Sequence, residues 1–94
     1  MDDLIKYRAA LNTIDEQIIM LLGQRYAICR DVANHKIEHG IPVMQHDRVS
    51  EVKDRCADLA VGQQVNPEFV RQLYSLIIDE ACRIEKSIVN DRKQ

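Results

Sequence analysis

Residues 2–36 read DDLIKYRAALNTIDEQIIMLLGQRYAICRDVANHK. Taken in steps of three and four they give Leu4, Tyr7, Leu11, Ile14, Ile18, Leu21, Arg25, Ile28, Val32 and His35. The steps alternate without a break, no proline interrupts them, and Gly23 is the one glycine. This periodicity predicts a single long helix, from Asp2 to about Lys36, with a narrow apolar seam. One seam position is out of character: Arg25 stands where a leucine belongs. A guanidinium taken out of water is costly unless an anion meets it, so the misfit is the first pointer to function.

The same stretch predicts a partner. A helix of about 35 residues is roughly 52 Å long, whereas a compact chain of 94 residues has a radius of gyration of about 12 Å. Ile5, Ile19, Met20, Leu22 and Ala33 widen the apolar face beyond the seam. Two shorter helices cannot cover all of it. A second copy of the chain, with the long helices antiparallel in an isologous dimer, is the simplest cover.

Downstream, Gly40 and Pro42 stop the first helix. A second helix is expected from His46 or Asp47 to Val61, with Val49, Val52, Cys56 and Leu59 on one face and Gly62 ending it. Asn66-Pro67-Glu68 combines an N-cap, a proline at the first helical position and an acid in the first turn. The third helix is expected from Pro67 to about Asn90, with Val70, Leu73, Ile77, Ala81, Ile84 and Ile88 as its seam and Asp91–Gln94 frayed. The fold class is therefore all-α, with long, short and medium helices in one domain.

Composition excludes several classes. Four aromatic residues, no tryptophan and many Leu, Ile, Val and Ala suit helices better than sheets. A net charge of −2 with no basic stretch argues against nucleic acid. Nothing resembles a signal peptide or a membrane span, so a cytoplasmic location is expected. Cys29, Cys56 and Cys82 are odd in number and widely spaced, which fits small core residues in a reducing compartment rather than zinc ligands or a redox pair. There is no catalytic triad, glycine-rich phosphate loop or metal-ligand spacing.

What remains is a set of cations. Lys36 lies eleven residues after Arg25 and projects from nearly the same face, about 16 Å further along. Arg48 opens the second helix. Arg8 is roughly 25 Å from Arg25 by the same rise, so only a partner's Arg8 reaches a small ligand held by Arg25. Each has an ordinary alternative: a helix-end lysine favours the dipole, Arg48 beside Asp47 is usually solvated, and Arg25 can pair with an acid across the dimer. Glu85, at the edge of the third helix's stripe, is by itself expected to be exposed.

Arg8, Ile14-Asp15, Leu21-Leu22, Arg25, Val32-Ala33 and Lys36 resemble the first helix of the all-helical (AroQ-type) chorismate mutases. Ile41-Pro42-Val43, Asp47-Arg48 and Leu73-Tyr74-Ser75-Leu76-Ile77-Ile78-Asp79-Glu80 continue the match over nearly the whole chain. The resemblance implies an intertwined dimer with two shared sites. The implied reaction is the rearrangement of chorismate to prephenate, with no cofactor and no covalent attack. Catalysis of that kind is positioning plus electrostatic stabilisation of the ether oxygen as its bond breaks. It implies that Arg25 and the partner's Arg8 bind carboxylates, that Lys36 contacts a carboxylate and the ether oxygen, and that Arg48 shapes the pocket. Glu85 falls where the family has a second ether-oxygen donor, usually glutamine.

The departures bear on substrate. Val49 replaces the glutamate that accepts from the ring hydroxyl, Ala81 replaces a serine near the ring carboxylate, and Gln45 replaces an aspartate in the loop. Glu85 donates only when protonated. Two relatives lack the hydroxyl acceptor: the 4-amino-4-deoxychorismate mutases and the isochorismate–pyruvate lyases. The lyases usually keep glutamine at the position of Glu85, and the runs 47–49 and 77–85 resemble the amino-substrate group more. A helper protein that keeps the fold without the activity is the alternative from another class. Arg25→Leu separates them, because a scaffold gains stability whereas an enzyme loses turnover.

Overall fold

The computed structural model describes residues 2–93. They form α1 (Asp2–His39), α2 (His46–Gly62) and α3 (Pro67–Lys93). The expected order of long, short and medium helices stands, with shifted ends.

α1 runs three residues past Lys36 and closes on Gly40. With φ at +65° Gly40 adopts the left-handed conformation, and the Ile41 N–H donates to the Lys36 carbonyl at 2.8 Å. The Gly40 N–H donates to the Ile37 carbonyl at 3.4 Å, completing a Schellman cap. Glu38 and His39, beyond the expected end near Lys36, belong to the last helical turn. The His39 ring stacks on His35 with centroids 4.1 Å apart.

α2 begins at His46 as expected, but its end corrects the role given to Gly62. Gly62 is still helical, and the left-handed residue is Gln64, at φ 59°. The Val65 N–H reaches the Ala60 carbonyl at 2.9 Å and the Gln64 N–H reaches that of Val61 at 3.2 Å. The same cap is thus built with a side chain where glycine is favoured. Asn66 caps α3 as expected, its Oδ1 accepting from the N–H groups of Glu68 (2.9 Å) and Phe69 (3.4 Å). α3 outruns its expected end at Asn90. Asp91–Lys93 are helical, Arg92 and Lys93 complement the helix dipole, and Arg92 Nη1 donates to Asn34 Oδ1 of α1 at 3.1 Å. Gln94, expected in a frayed tail, lies outside the described residues.

α3 is the central element. α1 and α2 each pack against it and not against each other. The core is mostly the α2–α3 seam: Val52, Cys56 and Ala60 against Val70 and Ile78, with Val49, Tyr74 and Cys82 around them. Leu59 is a correction: it is 58% exposed, and the small Ala57 and Ala60 occupy the buried face in its place. Alanines at these positions let the helices approach closely. Leu73 is also largely outside the core. Among the described residues α1 buries only Ala33, while ten of its large apolar side chains from Leu4 to Ile28 are 49–67% exposed and Leu22 and Tyr26 are half-buried. The long axis of 58 Å and the radius of gyration of 16.9 Å come from this overhanging helix.

A left-handed conformation costs a non-glycine residue about 1 kcal/mol or more. Gln64→Gly is therefore expected to raise the unfolding free energy by about 1 kcal/mol, measured by urea denaturation at fixed protein concentration. No gain would show that the Gln64 side chain compensates its own backbone.

Candidate active site

Because α1 and α2 do not touch, a gap stays open between them over the face of α3. It is a cavity of about 470 Å³. α1 supplies Arg25, Ile28, Cys29, Val32 and Lys36; the 40–45 loop supplies Val43, Met44 and Gln45. α2 supplies Arg48, Val49, Val52 and Arg55, and α3 supplies Ile78, Ala81, Cys82 and Glu85. The structure thus brings seven of the expected residues to one cavity: Arg25, Lys36, Gln45, Arg48, Val49, Ala81 and Glu85. It does not bring Arg8, which is exposed in the free half of α1.

Glu85 corrects the expectation of exposure. It is 6% exposed, the one buried charged residue among the described residues. Lys36 Nζ lies 2.8 Å from its Oε1 and donates a second bond, also 2.8 Å, to the Val43 carbonyl. The lysine therefore ties the end of α1 to α3 and to the following loop. No buried polar side-chain atom among the described residues is left without a partner. Glu85 Oε2 takes no part in the Lys36 bond.

Arg25 has no carboxylate within 4.0 Å among the described residues. Its guanidinium lies 5.9 Å from the Tyr74 ring centroid, within cation–π range, and 4.0 Å from Cys29 Sγ. A half-buried guanidinium with an aromatic face and a thiol for company is ready for an external anion. Arg48 is exposed and bonded to Glu51 at 2.9 Å, rather than to its neighbour Asp47. Such a surface pair is worth little and opens readily. Gln45 precedes α2 with extended backbone angles and no side-chain capping bond; its carbonyl accepts from the Val49 N–H at 3.1 Å. Its side chain is free for a ligand.

Val49, Val52, Ile78 and Ala81 make a hydrocarbon wall. Burial pushes the Cys29 and Cys82 thiols up, which keeps them protonated and poorly nucleophilic. No cluster of potential metal ligands occurs among the described residues. The charged lining residue that sequence reading passed over is Arg55. Its spacing of seven from Arg48 and three from Val52 was the available signal, since that spacing keeps it near the same helix face.

A family described as chorismate mutase type II matches residues 7–86. The chain belongs to that family. A 4-amino-4-deoxychorismate mutase of Streptomyces venezuelae is 35% identical over 89 residues, 95% of this chain and 86% of the relative. One from Streptomyces pristinaespiralis is 34% identical over 84 residues, 89% of this chain and 65% of the relative. A chorismate mutase of Methanocaldococcus jannaschii is 23% identical over 91 residues, covering 97% and 92%. Among the described residues no helix is long and apolar enough to cross a membrane.

Removing one partner of a buried ion pair strands the other. Lys36→Met is expected to lower stability by about 3 kcal/mol, whereas Lys36→Met combined with Glu85→Leu recovers most of the loss. Equal losses in the single and double variants, measured by chemical denaturation, would show that the pair does not join α1 to α3.

Proposed function

We propose that the chain, as a single domain, catalyses a chorismate mutase-type rearrangement in this cavity, completed by a second copy of itself. The carrying observation is the combination of an uncompensated Arg25 with the buried Lys36–Glu85 pair in one cavity. The substrate is a small dicarboxylate. Arg25 and the partner subunit's Arg8 hold carboxylates through bidentate forks. Lys36 approaches a carboxylate and the ether oxygen, and protonated Glu85 donates a second bond to that oxygen through Oε2. Negative charge grows on the ether oxygen as the C–O bond breaks, so donors placed there favour the transition state over the ground state. The apolar wall and Arg48 hold the compact, chair-like conformer of the ring and its side chain. Gln45 closes the loop side.

The exposed face of α1 supports the dimer reading. Ten large apolar side chains between Leu4 and Ile28 are more exposed than buried or nearly so, and burying each contributes about 1.5 kcal/mol or more. A second α1, antiparallel to the first, covers them and carries its Arg8 towards this cavity.

The finer reading is that the substrate is 4-amino-4-deoxychorismate. Two relatives at 34–35% identity carry that activity by name, and the cavity wall offers Val49 where a ring hydroxyl would need an acceptor. Chorismate, isochorismate and the 4-amino analogue, offered separately with products identified by chromatography, test this. Rearrangement is expected, fastest with the amino substrate. Salicylate and pyruvate from isochorismate as the dominant products would overturn the reading.

Two variants probe the roles. Arg25→Leu is expected to lose turnover by about a hundredfold or more, whereas unchanged turnover with a raised unfolding midpoint would favour a scaffold. Glutamine carries an N–H donor without needing a proton, so Glu85→Gln is expected to rearrange the substrate at least as fast as wild type. A large loss of turnover in Glu85→Gln would remove Glu85 as donor.

A further inference from the structure

The cations of the cavity divide between its two ends. α1 and α3 run in the same sense, for Arg25 lies over Tyr74 and, eleven residues further along each helix, Lys36 meets Glu85. α2 runs the other way. It starts beside the loop whose Val43 carbonyl holds Lys36, and Asp54 near its middle meets Arg71 of early α3 at 2.8 Å. Arg48 therefore stands at the Lys36 end. Arg55, seven residues and about 10 Å along the helix, stands at the Tyr74 end. Its positive charge is felt at the Tyr74 hydroxyl, where it opposes the upward push of burial, as does that of Arg25.

Arg55 has no carboxylate within 4.0 Å among the described residues. Its neighbour Asp54 is engaged by Arg71, and Arg48, the other arginine on this face, has Glu51. The Tyr74 end of the cavity thus carries two guanidiniums, one half-buried and one at the rim, neither with a carboxylate within 4.0 Å among the described residues.

We propose that Arg55 is a substrate-binding residue: with Arg25 it grips one carboxylate of the dianion at the Tyr74 end, while Lys36 and Arg48 serve the opposite end. This rests on the reading of the cavity as a site for a dicarboxylate. Two arginines suit one carboxylate, because each oxygen accepts from more than one donor and a fork fits the planar group. Arg55 is exposed, so it also draws the dianion in from solvent, and salt screens that part of its action.

The test compares steady-state kinetics of wild type, Arg55→Gln, Arg55→Lys and a control, Arg30→Gln, which removes an exposed α1 arginine outside the cavity. The substrates are chorismate and 4-amino-4-deoxychorismate, at low and high salt. Arg55→Gln is expected to raise KM about tenfold with kcat within about twofold, and to weaken the rise of KM with salt. Arg55→Lys restores the salt dependence but only part of the KM. Arg30→Gln leaves both constants near wild type. Circular dichroism and thermal midpoints are expected to match across the set. An active wild type whose KM is changed no more by Arg55→Gln than by Arg30→Gln would overturn the role of Arg55 alone, as would a loss confined to kcat. A folded wild type that neither turns over nor binds either dianion, by calorimetry, would overturn the functional reading and this inference with it.

Discussion

The bond between Lys36 and Glu85 holds the site together. α1 and α2 have no contact of their own, so the relation between the two cavity walls is carried through α3 and through the 40–45 loop. Lys36 serves both routes, with its ammonium on the Glu85 carboxylate and on the Val43 carbonyl. The loop then delivers Gln45 and the start of α2. One lysine thereby sets the spacing of walls contributed by three helices. An ammonium and a carboxylate so far out of water are tolerated because each has its counter-charge. In the proposed reaction Lys36 and the protonated form of Glu85 face the oxygen on which charge develops.

The second constraint is the length of α1. Its C-terminal half, from Arg25 to Lys36, is one wall of the cavity, and its N-terminal half has nothing from its own chain to pack against. The apolar surface left open there is as much a part of the fold as the α2–α3 core. On the proposed reading it is where a second chain lies, and Arg8 is the residue that such packing carries between sites. Stability and activity then depend on the same association, and both are expected to fall together on dilution.

Much of this was legible in the sequence because it rests on period and punctuation. The α1 seam, the Gly40 stop and the Asn66-Pro67 start each name a local geometry that the structure contains. Helix ends were less legible where tertiary bonds extend them, as Arg92 does for α3 through Asn34. Gly62 misled because the left-handed residue came two positions later, at Gln64. Leu59 misled because hydrophobicity says what wants to be buried, not which face has a neighbour; the close α2–α3 contact selects Ala57 and Ala60. In the site, Arg25 was legible as a charge in an apolar seam. Glu85 was legible only through the family resemblance, since its burial exists only once Lys36 arrives from 49 residues away in sequence. Arg55 was not, because an arginine on an exposed helix face looks ordinary until Tyr74 and Arg25 stand beside it.

The central claim is that one cationic cavity is built by two chains, with Arg25 from one and Arg8 from the other. It is tested most directly by mixing two variants, Arg8→Ala and Arg25→Ala, each with little activity alone. After subunit exchange, random pairing gives heterodimers with one intact site, so activity is expected to return to about a quarter of wild type. Mixed samples that remain as inactive as the separate variants, with exchange confirmed by native mass spectrometry, would contradict a shared site.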